Sequence, residues 1–274
     1  MQDYPTIFPQ NSHSAVTVPG IPPAARYFDY GAAVALRNLA AAYGTKMPRY
    51  LLAPEVAVLL SFEPDLKKRL LIDTFWNTGG RLNEVLPLTA GDFMLDAPDG
   101  RAAQSPFVVL KTLKQRSLLD QSRRRGRPTR EEQAAMREAD QNPPRAVPIT
   151  DPAYAQRLRE YFATTRLRKT DRIWDISSPD TVRTWIRQAV SAAERDGVTF
   201  TVRPITTRTF RDSFAMHLVQ HGVPKKVIQA MMGHKDEKST EWYTQVLALD
   251  VTRQLGVRFS MDSVDARALL HSGN

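Results

Sequence analysis

Chemistry in this chain has to come from oxygen, nitrogen and phenol groups, because its 274 residues include no cysteine. Thiol nucleophiles, disulfides, zinc knuckles and iron–sulfur clusters are thereby excluded. The sequence also contains no Gly-rich phosphate loop of the P-loop type, no His-Glu-x-x-His and no Gly-x-Ser-x-Gly, which argues against ATPases, zinc proteases and serine hydrolases. What remains is a set of basic side chains at helix ends together with one tyrosine. Arg81 opens a helix just after Gly79-Gly80, and Arg208 and Arg211 lie three apart on one helical face. His234 follows Gly233 at a helix end, and Tyr243 comes nine residues later. The chain's charge favours a polyanionic partner: 38 Lys and Arg against 29 Asp and Glu give +9. Residues 1–113 carry ten basic and ten acidic side chains, so the whole excess lies after Leu113.

The elements that must position these groups can be read from periodicity and punctuation. Five prolines within residues 1–25 (Pro5, Pro9, Pro19, Pro22 and Pro23) preclude a continuous helix and predict an extended arm. Helices are expected at about 30–42, 54–62 and 64–78, with Pro54 and Glu55 suited to a helix start, and a further short helix begins at Arg81. Residues 106–111 and 145–149 read as strands. Helices return at about 151–166, 179–196, 206–221, 224–232 and 238–248, with Gly197, Gly222 and Gly233 as stops. The expected class is mostly α with a small antiparallel β-sheet.

Between the two strands, residues 115–144 are too charged to be core. Arg123, Arg124, Arg125, Arg127 and Arg130 fall within eight residues that hold no acid. Two readings stay open, a solvated hairpin extension and a loop that grips phosphate, since such a density of like charge repels itself without an anion. No window approaches the roughly 18 apolar residues of a membrane span, and the N-terminus has no signal-peptide pattern, so a soluble cytoplasmic protein is expected.

The fragment Thr78-Gly79-Gly80-Arg81-Leu82-Asn83-Glu84-Val85-Leu86-Pro87-Leu88, followed by Asp92, resembles the first arginine box of the tyrosine recombinases, the phage-integrase family of DNA breaking and rejoining enzymes. The fragments Arg208-Thr209-Phe210-Arg211-Asp212-Ser213-Phe214, Gly222-Val223-Pro224, Met232-Gly233-His234 and Tyr243-Thr244 resemble its second box, and order and spacing agree over roughly residues 50–250. The resemblance implies that family's catalytic-domain fold. It implies that Tyr243 attacks a phosphodiester of double-stranded DNA to leave a 3′-phosphotyrosyl link, after which strands are exchanged through a Holliday junction. Arg81 and Arg211 match the arginines that hold the non-bridging oxygens, and His234 matches the histidine that hydrogen-bonds the phosphate. Lys111, with Lys114 as competitor, matches the hairpin lysine that protonates the leaving 5′-oxygen. No metal or other cofactor is implied. A homotetramer on DNA is, with a tail at 257–274 that docks on a neighbouring subunit; the free protein is expected as a monomer.

Two departures stand out. First, the family usually has histidine, sometimes lysine, three residues before its second arginine, where this chain has Arg208, which cannot serve as a base; Asp212, at a place often occupied by histidine, is a milder oddity beside it. Second, residues 1–50 leave room for an arm and one helix but not for the helical clamp domain usual ahead of a catalytic domain, here residues 51–256. A non-catalytic DNA-binding regulator on the same scaffold and a DNA-relaxing topoisomerase are therefore the alternatives. Glu84 is expected to orient Arg81. Phe210, Phe214 and Leu218 are expected in the core, with Trp174, Trp185 and Trp242 as core or interface anchors. His217 and His221, four apart, lack a third metal ligand nearby and are assigned a half-buried or surface role.

Overall fold

A computed structural model describes residues 30–43, 49–97, 99–111, 144–176, 178–234, 240, 241 and 243. The arm, most of the arginine-rich stretch and the C-terminal tail lie outside the described residues. Among these, helices α1 (Tyr30–Tyr43), α2 (Ala53–Ser61), α3 (Leu66–Thr78) and α4 (Leu82–Val85) come first. Strands β1 (Phe93–Asp96), β2 (Ala102–Leu110) and β3 (Arg145–Pro148) follow. The described chain continues with α5 (Pro152–Thr165), α6 (Pro179–Arg195), α7 (Thr207–Gln220) and α8 (Lys225–Met232). Thr240, Glu241 and Tyr243 are helical, within the stretch expected at 238–248.

The sheet is an antiparallel meander in the order β1-β2-β3. It has three strands where the sequence suggested two. β1 was not expected because Phe93 is the one strand-favouring residue in Phe93-Met94-Leu95-Asp96, although its buried-exposed alternation is a strand signal. Pairing of Val108 with Val147 and of Leu110 with Arg145 fixes where Lys111 and Arg145 emerge. Lys111 and Arg145, the described residues on either side of the arginine-rich segment, therefore lie at the same end of the sheet.

α7 is the central helix. Thr206 caps it by accepting from the Thr209 N–H at 3.3 Å, and its run from Thr209 to Met216 is entirely buried. It packs against α3. Phe210, Phe214 and Leu218 are in the core as expected, as is Trp174, whose indole N–H donates to the Val85 carbonyl at 2.8 Å. α3 begins at Asp65, which accepts from the Lys68 N–H at 2.9 Å, and ends at Gly79 with φ +57°. Only glycine suits that place: the backbone is left-handed, and a Cβ would run into the Phe214 ring. α1 is tied to α2 by a buried ion pair, with Arg37 Nη1 2.6 Å from Glu55 Oε2. His217 and His221 lie with ring centroids 4.2 Å apart beside Trp76; His217 is half-buried and His221 exposed. No group of three metal-ligating side chains occurs among the described residues.

Candidate active site

The C-terminal end of α8 organises the site. A helix end leaves carbonyls without intrahelical donors and carries the negative pole of the dipole. Here three successive carbonyls each accept from a different guanidinium. Arg145 Nε donates to Met231 O at 2.8 Å, Arg211 Nη2 donates to Met232 O, and Arg81 Nη2 donates to Gly233 O at 3.3 Å. Arg211 Nη1 also donates to the Gly79 carbonyl at 2.6 Å, so the left-handed turn closing α3 helps to aim it. Gly233 turns the chain with φ +62°, and a Cβ there would come within 2.9 Å of Arg145 Cδ.

Glu84 lies under this row, 3% exposed. It accepts from the Arg81 backbone N–H at 2.7 Å, from Arg81 Nη1 at 3.0 Å and from both terminal nitrogens of Arg145, the Nη2 contact being 2.8 Å. Burial alone would raise its pKa, but the hydrogen bonds and charges of Arg145 and Arg81 outweigh that and hold it below the usual carboxylate range. The expected role of Glu84 as the partner of Arg81 agrees with this geometry.

Above the row opens a cleft of about 500 Å³ lined by Gly80, Arg81, Leu82, Thr207, Arg208, Arg211, Asp212, His234 and Tyr243. Five of the six residues singled out for catalysis thus meet in one place, drawn from four separate parts of the chain. Arg208, Arg211 and Asp212 share a face of α7. His234 accepts or donates through Nδ1 with the Thr240 hydroxyl at 2.9 Å, which leaves Nε2 for a ligand. Its pKa is lowered to about 4 by burial and by the charges of Arg211, Arg81 and Arg145, so the ring is neutral at pH 7. Arg211 is pushed down to about 10 by burial and by the like charges of Arg81 and Arg145, yet stays protonated. The Tyr243 hydroxyl donates to Asp212 Oδ1 at 2.8 Å, and burial together with that carboxylate raises its pKa.

The sixth residue, Lys111, does not line the cleft. It follows β2, with Nζ 3.7 Å from Asp92 Oδ1. Lys114 and the arginines at 123, 124, 125, 127 and 130 lie outside the described residues. Sequence reasoning missed Arg145, read only as the start of a strand, and gave Asp212 no role. The signal for Arg145 was weak: one arginine re-entering the sheet after a charged segment.

The charge of the site follows by counting. Among the described residues, guanidinium groups of Arg81, Arg145, Arg208 and Arg211 stand against the carboxylates of Glu84 and Asp212, a surplus of two positive charges around a neutral imidazole. A cleft with that surplus, planar donors and a phenol beside them is built for a tetrahedral oxyanion and a hydroxyl nucleophile.

Residues 49–249 match the phage integrase family. The chain belongs to that family, the tyrosine recombinases. A resolvase of Escherichia coli (strain K12) is 44% identical over 277 residues, covering 95% of this chain and 96% of the relative. A probable site-specific recombinase in the afa region of Escherichia coli is 39% identical over 263 residues, covering 96% of this chain and 95% of the relative. Among solved structures, XerH site-specific recombinase bound to palindromic difH substrate, a post-cleavage complex, superposes with a TM-score of 0.53 at 20% identity. That match covers 78% of this chain and 54% of the other, so the chain spans about half the length of that recombinase. At this identity the likeness speaks for the fold, and it agrees with the mostly helical architecture and small antiparallel sheet described above. No helix among the described residues is long and apolar enough to cross a membrane.

Proposed function

We propose that this recombinase cuts double-stranded DNA with Tyr243, forms a 3′-phosphotyrosyl intermediate, and exchanges strands through a Holliday junction in a homotetramer assembled on DNA. The observation that carries this proposal is the convergence of the Tyr243 hydroxyl, Arg81, Arg211 and His234 on one cleft with two surplus positive charges. A phosphodiester brings one negative charge and its pentavalent transition state two, so the surplus matches the state to be stabilised rather than the substrate. Arg81 and Arg211 hold the non-bridging oxygens, and neutral His234 donates from Nε2. Lys111 protonates the leaving 5′-oxygen, which requires it to exchange Asp92 for the DNA.

The likeness to a resolvase over nearly the whole of both chains supports resolution of paired sites as the outcome, in preference to integration. Lys111 and Arg145, the described residues on either side of the arginine-rich segment, lie at one end of the sheet, and Arg145 reaches the row of guanidiniums under the cleft, which supports a role for the segment in gripping DNA. The test is a nicked suicide duplex made from inverted repeats flanking the gene. Wild-type protein should form a covalent adduct, and Tyr243→Phe should bind the duplex equally well and form none. An adduct in Tyr243→Phe would sink the assignment of the nucleophile.

A further inference from the structure

We infer that Asp212 is the general base of this recombinase, accepting the Tyr243 proton as the phenolic oxygen attacks phosphorus. The inference rests on the function proposed above and deepens it. Arg208 stands where relatives usually have an ionisable histidine, and a guanidinium cannot take a proton at physiological pH. Its side chain is 88% exposed, with Nε 3.7 Å from Asp212 Oδ2. His234 is engaged through Nδ1 with Thr240, and its ring lies parallel to that of Tyr243 with centroids 6.3 Å apart, a geometry for packing and not for proton transfer. Among the described residues, Asp212 alone meets the geometric requirement for a base, with Oδ1 2.8 Å from the reacting hydroxyl.

Arg208 and Asp212, both unusual for their places in the family pattern, thus form one unit. Residues 208 and 212 are one turn apart on α7, so Arg208 braces one carboxylate oxygen while the other accepts from Tyr243. Among the described residues, the charged and titratable groups facing Asp212 are Arg208 and Arg211 of α7 and the phenol of Tyr243, with Arg81 and His234 across the cleft. Burial raises the pKa of Asp212 against the lowering effect of these neighbours, which makes it a stronger base than an exposed aspartate.

The step balances. The Tyr243 proton passes to Asp212 Oδ1, the oxygen–phosphorus bond to tyrosine forms, and the bond from phosphorus to the 5′-oxygen breaks as Lys111 gives that oxygen a proton. Rejoining runs the same transfers backwards. Because the carboxylate becomes neutral while the phosphoryl group gains charge, the buried site keeps its total charge through the attack.

The experiment uses the full chain and the nicked duplex in single-turnover cleavage at saturating protein. Asp212→Asn should keep its affinity for the duplex but form adduct at least about a hundredfold more slowly, the scale of a lost general base. The wild-type rate should rise tenfold per pH unit up to the Asp212 pKa and then level, and Asp212→Asn should lack that limb. Replacing Tyr243 by a ring-fluorinated tyrosine, whose phenol ionises more readily, should restore much of the rate to Asp212→Asn. A 5′-bridging phosphorothiolate should rescue Lys111→Ala and leave Asp212→Asn slow, because it relieves only the need for an acid. Asp212→Asn cleaving as fast as wild type, or faster, overturns the inference. Should Asp212→Asn not fold, the wild-type profile alone decides, and a rate that does not fall tenfold per pH unit at the acid end of the range in which the protein stays folded overturns it. Adduct formation by Tyr243→Phe would overturn the proposed function itself, a separable result.

Discussion

Glu84 offers the sharpest test of how the site is held. Its carboxylate is 3% exposed and accepts from Arg81 and Arg145, and Arg145 is itself only 11% exposed. Breaking a buried ion pair by removing one partner costs about 3–5 kcal/mol, because the other charge is left uncompensated. Glu84→Gln should lower stability by about that amount, which at roughly 2–4 °C per kcal/mol is a fall of about 6–20 °C in Tm. The loss should be larger in low salt, and inorganic phosphate should recover more of it in the variant than in wild type. The reason is that the surplus in the site grows from two positive charges to three. The assay is thermal unfolding followed by circular dichroism, with and without phosphate, on wild type, Glu84→Gln, Arg145→Met and the double variant. Removing both partners should cost much less than the sum of the single losses. Single losses that add to within about 0.5 kcal/mol would refute the coupling, and with it the claim that Glu84 and Arg145 act as one unit.

Three further outcomes are expected. Gly79→Ala should destabilise by about 2–4 kcal/mol, from the positive φ and from crowding of Phe214, and should slow cleavage by shifting the carbonyl that holds Arg211; an unchanged Tm would contradict this. Asp73 is buried beside Asn77 and Arg157, and burial raises its pKa to about 6, so stability is lost as pH rises through 6. The gap in Tm between Asp73→Asn and wild type should therefore move in the variant's favour from pH 5 to 8, and a constant gap would count against the burial cause. Neutralising Arg123, Arg124 and Arg125 together should flatten the dependence of DNA affinity on salt by about 2.7 in log–log slope, at about 0.9 per phosphate contact. An unchanged slope would return that segment to a solvated extension.

The difference between what was legible in the sequence and what was not follows the range of the interactions. Helix starts and stops were readable because caps, Pro54, Gly79 and Gly233 act within a few residues; β1, with Phe93 as its one strand-favouring residue, lacked the β-branched residues that marked β2 and β3. The cleft residues were legible because their spacing matches a family pattern, and the pattern survives where the backbone between them does not. Arg145 and Asp212 escaped for a different reason. Arg145 acquires meaning only when β3 pairs with β2 and lays it against Glu84 and the end of α8, 61 residues and more from one partner. Asp212 acquires meaning only when a segment 31 residues later returns to set the Tyr243 hydroxyl on its carboxylate.

By itself, then, the sequence determined the helical scaffold, the cationic character of the later chain and five of the groups that line the cleft, Arg81, Arg208, Arg211, His234 and Tyr243. Tertiary structure decided which charges meet. Three guanidiniums come to share the carbonyls of one helix end, one buried carboxylate locks two of them, and another accepts the hydrogen bond of the Tyr243 hydroxyl. Pairings of that kind depend on distance in space, where a charge interaction falls with separation and rises with burial, and neither quantity is written in the order of residues.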